Sequence, residues 1–131
     1  MNYFAYGSNL SRQQMLERCP QSKPKFPATL HNYKLIFVGW SRQWRGGTAS
    51  IRRVTAEKVL GAIYEVSEEC LRRLDRYEGS DSQRLKVIVN DEDGEPIEAI
   101  TYIKMRQTEE TKPSAEYLAI IRQGYREWRL V

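Results

Sequence analysis

The stretch YFAYGSNLSRQQM, residues 3–15, runs a strand, a turn and a helix start together without a spacer. Tyr3 to Tyr6 are the aromatic and small residues of a short strand. Ser11 and Gln14 form an S-x-x-Q capping box, Leu10 and Met15 are spaced as a hydrophobic staple, and Pro20 stops the helix. Tyr6-Gly7-Ser8-Asn9-Leu10 therefore delivers the chain into a helix N-terminus, where amides without intrahelical partners can bind an anion or an oxyanion. Gly7 permits backbone conformations closed to other residues and leaves room for a ligand, and the Asn9 side chain can fix such a turn. Ser8 invites reading as a nucleophile. The chain has no G-x-S-x-G elbow, however, and only His31 could serve as its base, so a loop of backbone donors is the better reading.

Outward from this turn, residues 28–40, 48–54 and 59–66 are rich in β-branched and aromatic side chains and read as strands. LKVIVND and IEAITYIK flank Asp91-Glu92-Asp93-Gly94 and predict a hairpin. One further helix runs from a Ser67 cap to Gly79, another from Pro113-Ser114 to Trp128 with Gly124 as a weak point inside it. Strands outnumber helices and do not alternate with them. The expectation is one α+β domain over residues 1–131, with a mixed, mostly antiparallel, curved sheet and flanking helices.

Composition narrows the classes. No apolar run is long enough to span a bilayer, and the first segment lacks the basic start and continuous apolar stretch of a signal peptide, so a soluble, cytoplasmic protein is expected. Cys19 and Cys70 form neither a disulfide framework nor a metal-ligand spacing, and His31, the single histidine, reads as a half-buried strand residue. The formal charge is +4. Arg42 and Arg45 lie beside Trp40 and Trp44, with further pairs at Arg52-Arg53 and Arg72-Arg73. Arginines interleaved with aromatics can grip a nucleic acid, but no nucleic-acid motif accompanies them. A mild positive balance equally suits a small anionic substrate.

One carboxylate is out of pattern. At about 100° per residue, the helix of residues 68–79 groups Cys70, Leu71, Leu74 and Tyr77 on one arc, and Glu78 falls on the same arc. It also sits in the last turn, where the helix dipole disfavours negative charge. Both effects raise its pKa toward the range a general acid or base needs. Periodicity alone leaves open the plainer alternative, a frayed last turn with Glu78 in water or paired with a nearby arginine. Asp75, on the border of the polar arc, reads as solvated.

Taken together and in order, YFAYGSNL, RGGTASI, VLGAIYEVSEECLRRLDRYEGS and PSAEYLAIIRQGYREW resemble the gamma-glutamylcyclotransferase-like family over nearly the whole chain. The most specific parts are YGSNL and the L-D-x-x-E-G helix ending, Leu74 to Gly79. The resemblance implies a barrel-like sheet with a pocket between the YGSNL loop and the end of the second helix. It implies that Glu78 is catalytic, that Tyr6, Gly7, Ser8, Asn9 and Leu10 bind substrate chiefly through backbone groups, and that Tyr117 lines the pocket. The expected substrate is a small γ-glutamyl compound, cyclised to 5-oxoproline without metal, cofactor or covalent intermediate; a non-catalytic metabolite- or protein-binding module of the same fold is the alternative. The chain departs from many relatives in EGSDSQRLKVIV, where Gln83, Arg84 or Leu85 stands near a position at which they carry tyrosine.

Overall fold

The computed structural model describes residues 1–106 and 109–131. Five strands close into a barrel in the order β1-β3-β2-β4-β5. They are β1 (Asn2–Ala5), β2 (Lys23–Ser41), β3 (Gly46–Glu65), β4 (Ser82–Asn90) and β5 (Pro96–Lys104). Among the described residues three α-helices pack around them: α1 (Arg12–Arg18), α2 (Glu68–Glu78) and α3 (Ala115–Glu127). Every pairing is antiparallel except that of β1 with β5, which closes the barrel at Tyr3 opposite Ile100. The expected α+β class with a mixed, mostly antiparallel sheet is the observed one, and the sheet curves until its edges meet. No helix among the described residues is long and apolar enough to cross a membrane.

β1 shows why the opening stretch is apolar throughout. Successive side chains of a strand point to opposite faces. Phe4 and Tyr6 enter the barrel interior with Leu30, Ile51, Ile63 and Val89, whereas Tyr3 and Ala5 face outward into a second core with Leu10, Met15, Leu71, Leu74 and Trp128. Both faces are buried, so no polar alternation survives.

The sequence-predicted strands 48–54 and 59–66 are one continuous strand, β3, paired along its length with β2. Asn32 (φ 64°) and Ala56 (φ 72°) sit opposite each other at the register shift between the halves, where the Ala56 amide donates to Asn32 Oδ1 at 3.1 Å. β2 starts earlier than expected, at Lys23, and takes in Pro24 and Pro27. The predicted β4–β5 turn is present: Asp91 Oδ1 accepts from the amides of Asp93 and Glu95, and Gly94 adopts φ 84°.

Ser11, Ser67 and Ser114 each cap their helix by accepting from the third amide beyond them. Two expectations need correction. Gly124 is no weak point: a Cβ there would lie 2.5 Å from Leu10 Cβ, so glycine is what lets α3 press against the loop after β1. Cys19 and Cys70 are joined in a disulfide across a sequence separation of 51 residues, tying the end of α1 to the start of α2. Two cysteines that far apart carry no pairing signal in sequence; what brings them together is the packing of the two helices. Reduction is expected to lower the unfolding free energy by up to about 4 kcal/mol on loop-entropy grounds, read as a lower urea midpoint with reductant than without.

Candidate active site

A cavity of about 270 Å³ opens where the turn after β1, the end of α2, the β2–β3 hairpin tip, the end of β5 and Tyr117 of α3 converge. Tyr6, Gly7, Ser8, Asn9, Glu78 and Tyr117, all singled out from sequence, lie on its wall. Leu10 does not. Its side chain is fully buried in the outer core and its carbonyl accepts from Trp128 Nε1 at 2.8 Å.

Residues Ser8–Leu10 form a single 3-10 turn leading into α1. The Leu10 amide is spent on the Gly7 carbonyl at 3.1 Å and the Ser11 amide on the Ser8 carbonyl at 3.0 Å. Among the described residues no acceptor takes the amides of Ser8 and Asn9. Gly7 has φ −110°, so left-handed freedom is not its purpose here; Ala49 Cβ would lie 3.1 Å from an added Cβ and the Tyr117 hydroxyl 3.5 Å. The glycine lets the loop approach the barrel wall.

Side chains on α1 hold this loop. Ser11 caps α1, but Gln14 does not complete the box; its Nε2 instead donates to Ser8 Oγ at 2.6 Å and to Asn9 Oδ1 at 3.0 Å. Asn9 is the hub, since Oδ1 also accepts from Arg18 Nη1 at 3.1 Å while its Nδ2 donates to the Tyr3 hydroxyl at 3.0 Å. It fixes the turn by tying it to β1 and α1 rather than by bonding its own backbone. Tyr6, buried, donates to the Tyr102 carbonyl at 2.6 Å, which commits its hydroxyl to the barrel.

Glu78 ends α2, and Gly79 (φ 86°) turns the chain away immediately afterwards. The residue is half-buried and lines the cavity. Burial raises its pKa above the ordinary carboxylate value; the positive charges of Arg18 and Lys104 pull it down, and Asp75 pushes it further up. Desolvation outweighs the cations. The last turn is helical and the plainer alternative of a frayed end does not hold. Tyr77, placed on the buried arc from periodicity, is instead 53% exposed at the mouth of the cavity, with the Arg18 guanidinium 4.6 Å from its ring centroid.

Asp75 is not simply solvated. It accepts from the Tyr102 hydroxyl at 2.6 Å and from Arg84 Nε and Nη2 at 3.0 and 2.7 Å, and the arginine's hydrogen bonds hold its pKa below the ordinary value. Arg84 also grips Glu68 at 2.9 and 2.8 Å. In this chain, then, the segment after the glutamate braces α2 against β4. The Tyr117 hydroxyl accepts from the Ala49 amide at 2.9 Å, and burial pushes its pKa up to about 12, so it is a neutral hydrogen-bonding group.

Sequence reasoning missed Arg18, Tyr3 and Tyr102 on this wall. Arg18 had a signal: three residues after buried Met15, it is a charge on the buried face of α1, as Glu78 is on α2. Tyr3 and Tyr102 had none, because aromatic strand residues read as core. His31 is exposed rather than half-buried and is not on the cavity wall. Trp44 of the arginine-tryptophan stretch packs on Tyr117, ring centroids 5.1 Å apart, which turns that stretch toward the cavity. No group of three or more His, Cys, Asp or Glu among the described residues could hold a metal ion.

Comparison with known proteins places this arrangement. The family model described as gamma-glutamyl cyclotransferase, AIG2-like, matches residues 3–127. The chain is 33% identical to human gamma-glutamylcyclotransferase and 32% identical to the bovine protein, covering in each case 95% of this chain and 70% of the relative. A solved structure of a gamma-glutamyl cyclotransferase superposes with a TM-score of 0.92 at 30% identity, over 97% of this chain and 79% of the other. The match spans both the loop after β1 and the helix that ends in Glu78, and the chain belongs to the gamma-glutamyl cyclotransferase, AIG2-like family.

Proposed function

We propose that this protein cyclises a γ-glutamyl group to 5-oxoproline and releases the attached amine, with Glu78 as the proton carrier. The observation that carries the reading is the juxtaposition of a desolvated carboxyl, Glu78, with the unpartnered amides of Ser8 and Asn9 on one cavity wall. Glu78 as carboxylate takes a proton from the substrate's α-ammonium. The freed amine attacks the γ-carbonyl of the same molecule, forming a C–N bond and a tetrahedral oxyanion. Glu78 delivers that proton to the amide nitrogen as the intermediate collapses and the original C–N bond breaks; the ring nitrogen, cationic after its attack, gives up its second proton through Glu78 to the released amine, which departs as an ammonium. Protons balance over the cycle.

Nucleophile and electrophile belong to one molecule, so the enzyme's work is to hold a near-attack geometry and to stabilise developing charge. The loop amides are donors suited to the oxyanion or the α-carboxylate, and Arg18 and Lys104 give the cavity positive charge for an acidic substrate. Tyr117 supplies a neutral hydroxyl, and Leu10 contributes by anchoring the loop from below.

The reading is tested by incubating the protein with a panel of γ-glutamyl dipeptides and γ-glutamylamines and measuring 5-oxoproline against glutamate. Cyclisation yields 5-oxoproline and amine one for one; glutamate would indicate attack by water, and binding without any product would leave a non-catalytic module. Ser8 tests the same mechanism from another side. Its hydroxyl accepts from Gln14 and no histidine lies on the cavity wall, so Ser8→Ala is expected to keep activity within about tenfold. A loss of several orders of magnitude would make Ser8 a nucleophile after all.

A further inference from the structure

We propose that the outer half of this cavity selects the leaving group, and that the preferred substrates are γ-glutamyl conjugates whose amine carries an aromatic ring. The inference rests on the cyclotransferase reading of the inner half and adds to it the chemistry of what departs.

Among the large apolar side chains exposed in the described residues, the two aromatic ones, Trp40 and Tyr77, both stand at this cavity. Trp40 is 68% exposed and Tyr77 53% exposed, and both line the cavity. Met105, 60% exposed, follows Lys104 of the cavity wall, and its amide donates at 2.8 Å to the carbonyl of Asp81, another wall residue. Trp44 continues the surface inward to Tyr117. The polar reacting groups, Glu78 and the amides of Ser8 and Asn9, thus meet an aromatic rim within one cavity. Exposed apolar patches next to a polar site mark the ground on which a ligand is bound.

The rim is built rather than loose. At the hairpin tip Ser41 Oγ accepts from the Trp44 amide at 3.1 Å and the Ser41 carbonyl from the Arg45 amide at 2.7 Å, which sets the two tryptophans on either side of a defined turn. Arg18 lies over the Tyr77 ring and fixes the opposite side. A methyl or hydroxymethyl side chain on the departing amine would leave these rings uncovered, whereas a benzyl or indolylmethyl side chain would cover them.

The test compares kcat/KM for γ-glutamyl-phenylalanine and γ-glutamyl-tryptophan with that for γ-glutamyl-alanine and γ-glutamyl-serine. An advantage of about tenfold or more is expected for the aromatic conjugates, the scale on which burying one large apolar side chain acts. Trp40→Ala and Trp44→Ala should shrink that ratio, while Ile88→Ala, at an exposed position on β4 away from the cavity, should leave it unchanged. Ratios near one, or a large ratio that survives both tryptophan substitutions, would overturn the inference while leaving the cyclotransferase reading standing. No 5-oxoproline from any conjugate would overturn that reading and this inference with it.

Discussion

Glu78→Gln is expected to release 5-oxoproline at about a hundredth of the wild-type rate or less, yet to melt at a higher temperature than the wild type at pH 7. The first effect follows from removing the proposed proton carrier while keeping size and hydrogen bonding. The second follows from linkage. Burial raises the Glu78 pKa in the fold above its unfolded value, so the folded state holds a proton where the unfolded state has released it. Stability from this group is therefore greatest below the unfolded pKa and falls as pH rises through the folded one. Glutamine mimics the neutral carboxyl, and its advantage should vanish at low pH and open above the ordinary carboxylate range. Scanning calorimetry at two pH values, beside the product assay, reads both effects. A variant as active as the wild type would remove Glu78 from the mechanism.

Gly124→Ala is expected to destabilise the protein by about 2 kcal/mol and to lower turnover in the folded fraction. In an isolated helix the same change would stabilise by about 1 kcal/mol. Here the added Cβ meets Leu10 Cβ at 2.5 Å, the Leu10 carbonyl carbon at 2.7 Å and the Ser11 nitrogen at 2.9 Å. Two of these are backbone atoms, which cannot rotate aside, so overpacking outweighs propensity. The strain falls on the turn that carries Ser8 and Asn9, which is why activity should fall with stability. Urea unfolding and kcat/KM measured on the same preparation separate the two. An unchanged urea midpoint would show that α3 and the loop are less tightly joined than these distances imply.

Much of this was legible because it is local. Ser11, Ser67 and Ser114 announce helix starts through a hydrogen bond three residues long, and β-branched and aromatic runs announce strands. Glu78 was legible because one carboxylate broke a pattern. What escaped was set by partners distant in sequence. Asp75 gave no sign of being bound, because Arg84 reaches it from a strand and Tyr102 from the next one, where the two residues stand in register. The disulfide partners are buried side by side only once α1 and α2 have packed, and barrel closure depends on a single parallel pairing at Tyr3. Gly124 read as a helix defect for the same reason: what it approaches is more than a hundred residues away.

The most direct test of the account is the pH dependence of kcat/KM for 5-oxoproline release, measured for the wild type and Glu78→Gln side by side. The wild type should lose activity on the acid side with a single ionisation above about 4.3, the ordinary glutamate value, and Glu78→Gln should be slow at every pH and lack that limb. An acid limb of the same pKa and amplitude in Glu78→Gln would contradict the assignment of Glu78 as the group that carries the proton.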